Sequence, residues 1–140
     1  MRIVADTNRI IAALLKDGTT REILSDENFE FMTPDFTITE IEEHKSELQK
    51  IAKMADGEFK IHLALVFSYI KIIPEQDYRN FIDGCKNDIS DPDDVPILAA
   101  AIASGADAIW AHDPHFNEQK KVRVLTNIDM LKLSGKSSKV

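Results

Sequence analysis

Short apolar runs alternate with longer amphipathic stretches along the whole chain. Arg2-Ile3-Val4-Ala5 predicts a strand, and Asn8 to Lys16, apolar at Ile10, Ile11, Ala13, Leu14 and Leu15, predicts a mostly buried helix stopped near Gly18. Thr20 to Asp26 reads as a second short helix, and Phe29 to Thr33 as a strand ended by Pro34. Thr37 to Met54 reads as one helix with Ile38, Ile41, Leu48 and Ile51 on its inner side, broken by Asp56-Gly57. Glu58 to Tyr69 follows as a helix with Ile61, Leu65 and Phe67 or Ser68 turned inward. Ile70 to Ile73 is a strand closed by Pro74, and Gln76 to Cys85 a short helix. Val95 to Ser104 is apolar nearly all round and so predicts a buried helix, capped by Gly105. Asp107 to Ala111 and Val122 to Leu125 are the last strands, and Asn127 to Leu133 the last helix.

Strands that alternate with helices form a parallel sheet with helices on both faces, so the expected fold is a three-layer α/β/α sandwich. Such sheets bind ligands beyond the carboxyl ends of their strands, where the strand order reverses. No repeat or long linker divides the chain, so residues 1–133 are expected to form one domain, with 134–140 as a flexible tail.

Composition narrows the class. The 140 residues are 44% hydrophobic and 29% charged, enough for one globular core. Cys85 is the lone cysteine and has no disulfide partner, no apolar run is long enough to cross a bilayer, and the start lacks a signal-peptide layout. The expected location is cytoplasmic, with no membrane partner. A net charge of −7 argues against a protein that coats nucleic acid electrostatically. It leaves a nuclease open, because bound cations offset carboxylates. The segment from Pro114 onward runs the other way, with Lys120, Lys121, Arg123, Lys132, Lys136 and Lys139 against Glu118 and Asp129.

Candidate chemistry lies where strands should end. Asp6 follows the first strand directly, with Thr7 and Asn8 opening the next helix; an N-cap role explains Asp6 equally well. Asp91, Asp93 and Asp94 precede the buried helix. Pro92 fits with Asp91 as cap, and Pro96 fits with Asp93 as cap. Helix-dipole stabilisation, about 0.3–1 kcal/mol per acid, accounts for one or two of these and poorly for three. Asp113 follows Ile109-Trp110-Ala111-His112, before Pro114, and alone would be a turn aspartate above a packed Phe116. Glu40 sits early in a helix, where a solvated glutamate is common. The set says more than its members. Like charges about 4 Å apart cost on the order of 4 kcal/mol at an effective dielectric near 20. Gathering Asp6, Glu40, Asp94 and Asp113 therefore calls for a hard cation, Mg²⁺ or Mn²⁺, which would also activate water against a phosphodiester.

In order and context, Ala5-Asp6-Thr7-Asn8, Thr39-Glu40-Ile41, Asp94-Val95-Pro96-Ile97-Leu98 and His112-Asp113-Pro114-His115-Phe116 resemble the PIN-domain family across nearly the whole chain. The resemblance implies an α/β/α sandwich and a metal-dependent ribonuclease. Asp6, Glu40, Asp94 and Asp113 would be its catalytic set, with Asp6, Asp94 and Asp113 as metal ligands. Thr7, Asn8, Asp91 and Asp93 would support them, Thr7 or Asn8 by orienting the first carboxylate. It also implies an RNA substrate, a homodimer and, for the many members that are toxins, an antitoxin partner. The family often has Thr or Ser two residues before the last Asp and an acid two residues after; this chain has Ala111 and His115.

The leading reading is thus an endoribonuclease, with a non-catalytic RNA- or protein-binding scaffold as the alternative. A phosphatase would want an Asp at position 8, where Asn8 stands, and a receiver domain a lysine after the last strand, where Thr126-Asn127 stand. A zinc site on His112, Asp113 and His115 lacks a third nitrogen or sulfur ligand. His44 and His62 are expected at the surface, and Trp110 in the core or a dimer contact.

Overall fold

The computed structural model describes residues 1–135. Five strands, β1 (Arg2–Ala5), β2 (Glu30–Pro34), β3 (Ile70–Ile73), β4 (Ala108–Trp110) and β5 (Val124–Leu125), form one sheet in the order β3-β2-β1-β4-β5. All four pairings are parallel. The expected α/β/α sandwich is therefore the observed one. Side chains alternate across each strand. Ile3, Ala5, Phe31 and Trp110 enter one apolar layer, with α1 (Thr7–Leu14), α2 (Gly18–Leu24), α3 (Asp35–Glu43), α4 (Lys45–Ala52), α5 (Asp56–Phe67) and α9 (Asn127–Ser134). Val4, Met32, Ile109 and Ala111 enter the other, with α6 (Glu75–Tyr78), α7 (Ile82–Cys85) and α8 (Val95–Ser104). The chain reverses direction across the sheet at β1, whose neighbours are β2 and β4. The crevice above the carboxyl ends of β1 and β4 is the topological switch point.

Several expected boundaries move, each for a local reason. Gly18 does not stop the first helix; Lys16 does, at φ 68°, and Gly18 opens α2 under an Asp17 side chain that caps Thr20 N at 2.8 Å. Pro34 is the last residue of β2 rather than its terminator. The single helix expected over 37–54 is two, parted at His44 (φ −103°, ψ 11°). The break lets Leu48 reach the core and leaves Ile51 59% exposed. Asp56-Gly57 does not break a helix but begins α5; the break is Lys53, at φ 55°. The inner face of α5 is Phe59, Leu63, Val66 and Phe67, whereas Ile61 is 70% and Leu65 47% exposed. This helix is apolar on nearly every side, so periodicity could not choose its buried face. The segment expected as one helix over 76–85 is α6, a 3₁₀ turn at Arg79–Phe81, and α7. The final helix includes Ser134, the first residue of the expected tail; the rest of that tail from residue 136 lies outside the described residues. Among the described residues no helix is long and apolar enough to cross a membrane.

Lys53 offers a check on this backbone. A left-handed conformation costs a residue with a Cβ roughly 1–2 kcal/mol, and Lys53 is exposed, with little else to lose. Lys53→Gly is expected to raise stability by about 0.5–1 kcal/mol, seen as a higher urea midpoint at unchanged slope. An unchanged or lower midpoint would contradict the left-handed assignment.

Candidate functional site

Parallel pairing carries β1 and β4 to the same edge, where Asp6 N donates to the Trp110 carbonyl at 3.0 Å. Asp6 thus leaves the sheet beside the turn that carries Asp113. From the far layer, the 3₁₀ turn Pro92–Asp94 feeds α8 and delivers Asp94 to that edge. From the near layer, α3 brings Glu40. The result is a cleft of about 230 Å³ lined by Asp6, Glu40, Asp91, Asp93, Asp94 and Asp113, with Thr7, Asn8, Ile11 and His44. Every site residue expected from the sequence meets here.

Capping and burial sort the acids. Asp91 is a true cap, accepting Asp93 N at 2.9 Å, and Pro92 follows it at the first helical position. Asp93 is exposed and caps nothing; the residue before α8 is Asp94, so the alternative with Asp93 as cap does not hold. Asp113 accepts His115 N at 2.9 Å, as a turn aspartate does. Asp6 and Asp94 occupy cap positions, yet neither side chain makes a cap hydrogen bond. Both are nonetheless buried, at 4% and 7% exposure. Local helix chemistry therefore accounts for Asp91 and Asp113 and leaves Asp6 and Asp94 unexplained.

The electrostatics follow from that burial. Desolvation pushes the Asp6 carboxyl up to about 7; Glu40 and Asp113 add to the rise, while the Thr7 backbone N–H and the Arg9 guanidinium oppose it. Desolvation likewise pushes Asp94 up to about 7, helped by Asp6, Asp91 and Asp113 and resisted by His115. Glu40 is raised too, first by burial and then by Asp93 and Asp91, against the Thr7 hydroxyl and His44. Without a counter-charge, this cleft retains protons on its carboxyls near neutrality.

Several contributors escaped the sequence reading. Thr33 Oγ1 donates to the Ala5 carbonyl at 3.0 Å and lies 2.9 Å from Thr37 Oγ1, which lies 3.0 Å from Thr7 Oγ1. Thr7 Oγ1 donates to Glu40 Oε1 at 2.7 Å. This buried hydroxyl row ties the end of β1 to Glu40: the Thr7 side chain bonds Glu40 and only its backbone N–H bonds the Asp6 carboxyl, while Asn8 is exposed at the rim. Three threonines around Pro34 and Asp6 were the only available signal. Arg9, one turn along α1, is half-buried beside Asp6, and its Nε lacks a hydrogen-bond partner. His44 is at the surface, as expected, but on the cleft rim. His62 is half-buried, with Nδ1 3.0 Å from Arg21 Nη2, against the expectation of a surface residue. Trp110 is fully buried and so belongs to the core.

Thr7→Val removes the hydroxyl and keeps the shape. Outer partners that orient the working groups of a metal site are worth roughly 10–100-fold in activity, so with Glu40 as proton acceptor, cleavage by the variant is expected to fall about tenfold. Wild-type activity in a folded Thr7→Val protein would remove Glu40 from the chemistry.

The residues fit a divalent cation. Asp94 Oδ2 is buried with no hydrogen-bond donor, a cost that a buried carboxylate oxygen does not normally bear. One ligand atom from each of Asp94, Asp113 and His115 lies within 4.8 Å of the others. The donors are chiefly carboxylate oxygens, the set suited to Mg²⁺ and Mn²⁺. His112 does not join them, because its Nε2 accepts Asn127 N at 3.0 Å, and the zinc arrangement on two histidines does not form.

Comparison with known proteins agrees with this fold. A family profile described as PIN domain matches residues 4–128. The crystal structure of VapBC2 from Rickettsia felis bound to a DNA fragment from their promoter is similar in fold, with TM-score 0.65 and 18% identity, covering 90% of this chain and 98% of that chain. No curated protein matches the chain significantly. With the profile spanning most of its length, the chain belongs to the PIN-domain family.

Proposed function

We propose that the chain is a metal-dependent endoribonuclease whose cleft hydrolyses RNA phosphodiester bonds. The observation that carries this reading is the six-carboxylate cleft with a buried Asp94 Oδ2 that has no donor. In it Asp6, Asp94 and Asp113 hold Mg²⁺ or Mn²⁺, and Asp91 and Asp93 shape the turn that presents Asp94. The bound ion supplies Lewis-acid polarisation of a phosphoryl oxygen and a lowered pKa for water. Glu40, fixed by Thr7, takes the proton of the attacking water. Water attacks phosphorus in line, the bond to the leaving ribose oxygen breaks, that oxygen takes a proton from solvent, and the products carry a phosphate and a hydroxyl end. An acidic cleft repels RNA by itself, so substrate binding is coupled to ion binding.

The reading extends to partners. The similar VapBC2 was crystallised bound to a DNA fragment from their promoter. By analogy this chain is a toxin held by an antitoxin, which would place an Arg or Lys among the carboxylates. A homodimer fits the exposed Ile61, Leu65 and Tyr69. A cytoplasmic setting fits the buried, unpaired Cys85.

The test is incubation with a mixed, structured RNA pool in Mn²⁺, Mg²⁺ or EDTA. Cutting in a divalent ion and none in EDTA is expected. No cutting with any ion by folded protein would favour the scaffold reading. Acidity provides a further check. Asp6 and Asp94 both titrate at about 7, and both must be ionised to ligate. Mn²⁺ affinity is expected to fall by about 10–100-fold from pH 8 to pH 6, measured by calorimetric titration. A flat profile would exclude these two acids as ligands.

A further inference from the structure

Resting on the metal site proposed above, we propose that His115 supplies a nitrogen ligand to the ion held by Asp94 and Asp113, turning the site towards Mn²⁺ over Mg²⁺. Three observations carry this. His115 Nδ1 lies 3.1 Å from Asp113 Oδ1, and the two share with Asp94 a set of ligand atoms within 4.8 Å of one another. Atoms this close together can share one ion, since imidazole and carboxylate bind a divalent metal such as zinc at roughly 2.0–2.2 Å. The backbone that carries His115 is also held in place. Asp113 Oδ1 accepts the His115 backbone N–H at 2.9 Å, Pro114 fixes the turn, and fully buried Phe116 anchors it. Finally, Asp94 is buried and its Oδ2 lacks a donor, so the opposite side of the set offers an oxygen with no competing partner.

The chemistry of the donor decides the ion. Carboxylate and water oxygens suit Mg²⁺, whereas imidazole favours first-row transition ions, whose affinity for nitrogen rises from Mn²⁺ onward. Replacing one oxygen donor by imidazole raises Mn²⁺ affinity relative to Mg²⁺ without changing the charge the carboxylates supply. Two other histidines are near. His112 is engaged with Asn127 N, and His44 stands on the rim by α3, outside the ligand set.

The experiment uses the full chain, with Mn²⁺ and Mg²⁺ each added by itself. Pulsed electron paramagnetic resonance of the Mn²⁺ complex is expected to show nitrogen modulation that disappears in His115→Ala. In titrations the same variant should lose about tenfold in Mn²⁺ affinity and little in Mg²⁺ affinity, and His115→Asp should narrow the preference between the two ions. Mn²⁺ that binds without nitrogen modulation, or modulation that survives His115→Ala, would overturn the proposal while leaving the carboxylate site intact. Absence of Mn²⁺ binding to the wild type would overturn both.

Discussion

Asp94→Asn is expected to lower metal-dependent RNA cleavage by at least about 10²-fold, the scale of removing a group that stabilises transition-state charge, while making the metal-free protein more stable. The two effects share one cause. Asp94 is buried and its carboxyl is pushed up to about 7 by desolvation and then by Asp6, Asp91 and Asp113. Its folded pKa lies above its unfolded one, so the folded state binds the proton more tightly. Stability from this group is fully present below the ordinary carboxylate range and is lost as pH rises towards 7. At pH 8 the wild type carries a buried, repelled charge that Asn lacks. The variant is expected to gain on the order of 1–3 kcal/mol there and little at pH 4. Thermal unfolding in EDTA at both pH values, beside cleavage in Mn²⁺, measures both. Equal stability at pH 8 would mean that Asp94 is solvated; retained cleavage would remove it from the chemistry.

The second large effect is structural. Trp110→Ala is expected to cost about 3–5 kcal/mol, the range for truncating a buried aromatic. Trp110 is fully buried in β4, its ring centroid is 5.2 Å from that of Phe31 on β2, and its Nε1 donates to Asn127 Oδ1 at 2.8 Å. Asn127 in turn donates from Nδ2 to Thr20 Oγ1 at 3.3 Å, so one indole joins β4 to the first turn of α9 and to α2. Loss of the ring leaves a cavity and an unpaired Asn127 oxygen together. The urea midpoint at constant slope is the readout. Trp110 also accepts Asp6 N through its carbonyl and precedes the turn bearing Asp113, so cleavage should weaken even where the variant remains folded. A loss under 1 kcal/mol would contradict the packing around this strand.

What the sequence made legible was whatever depends on period and order. Five apolar runs between helical stretches sufficed for the parallel sandwich, and carboxylates placed after strands β1 and β4 had to converge once those strands paired. Asp6 and Asp113 were readable for that reason, Asp94 by its place at the start of the buried helix, and Glu40 only by its order and helical setting in the family resemblance. Competing local energies hid the rest. His44 and Lys53 interrupt helices without Gly or Pro, and α5 is apolar on too many sides to declare its inner face. The threonine row that holds Glu40 joins residues 7, 33 and 37 through tertiary packing, and nothing local in the chain marks it. Asp91 and Asp94 looked alike in sequence; only burial separates the helix cap from the carboxylate that lacks a donor.

On this reading the cleft is a cation site built from Asp6, Asp94 and Asp113. Calorimetric titration of Mn²⁺ into metal-free protein at pH 8 tests it most directly, with Asp6→Asn, Asp94→Asn and Asp113→Asn run alongside. Saturable, stoichiometric uptake by the wild type, lost or weakened by at least about tenfold in each variant, is the result expected. No saturable uptake by folded wild-type protein, or uptake indifferent to all three substitutions, would contradict it.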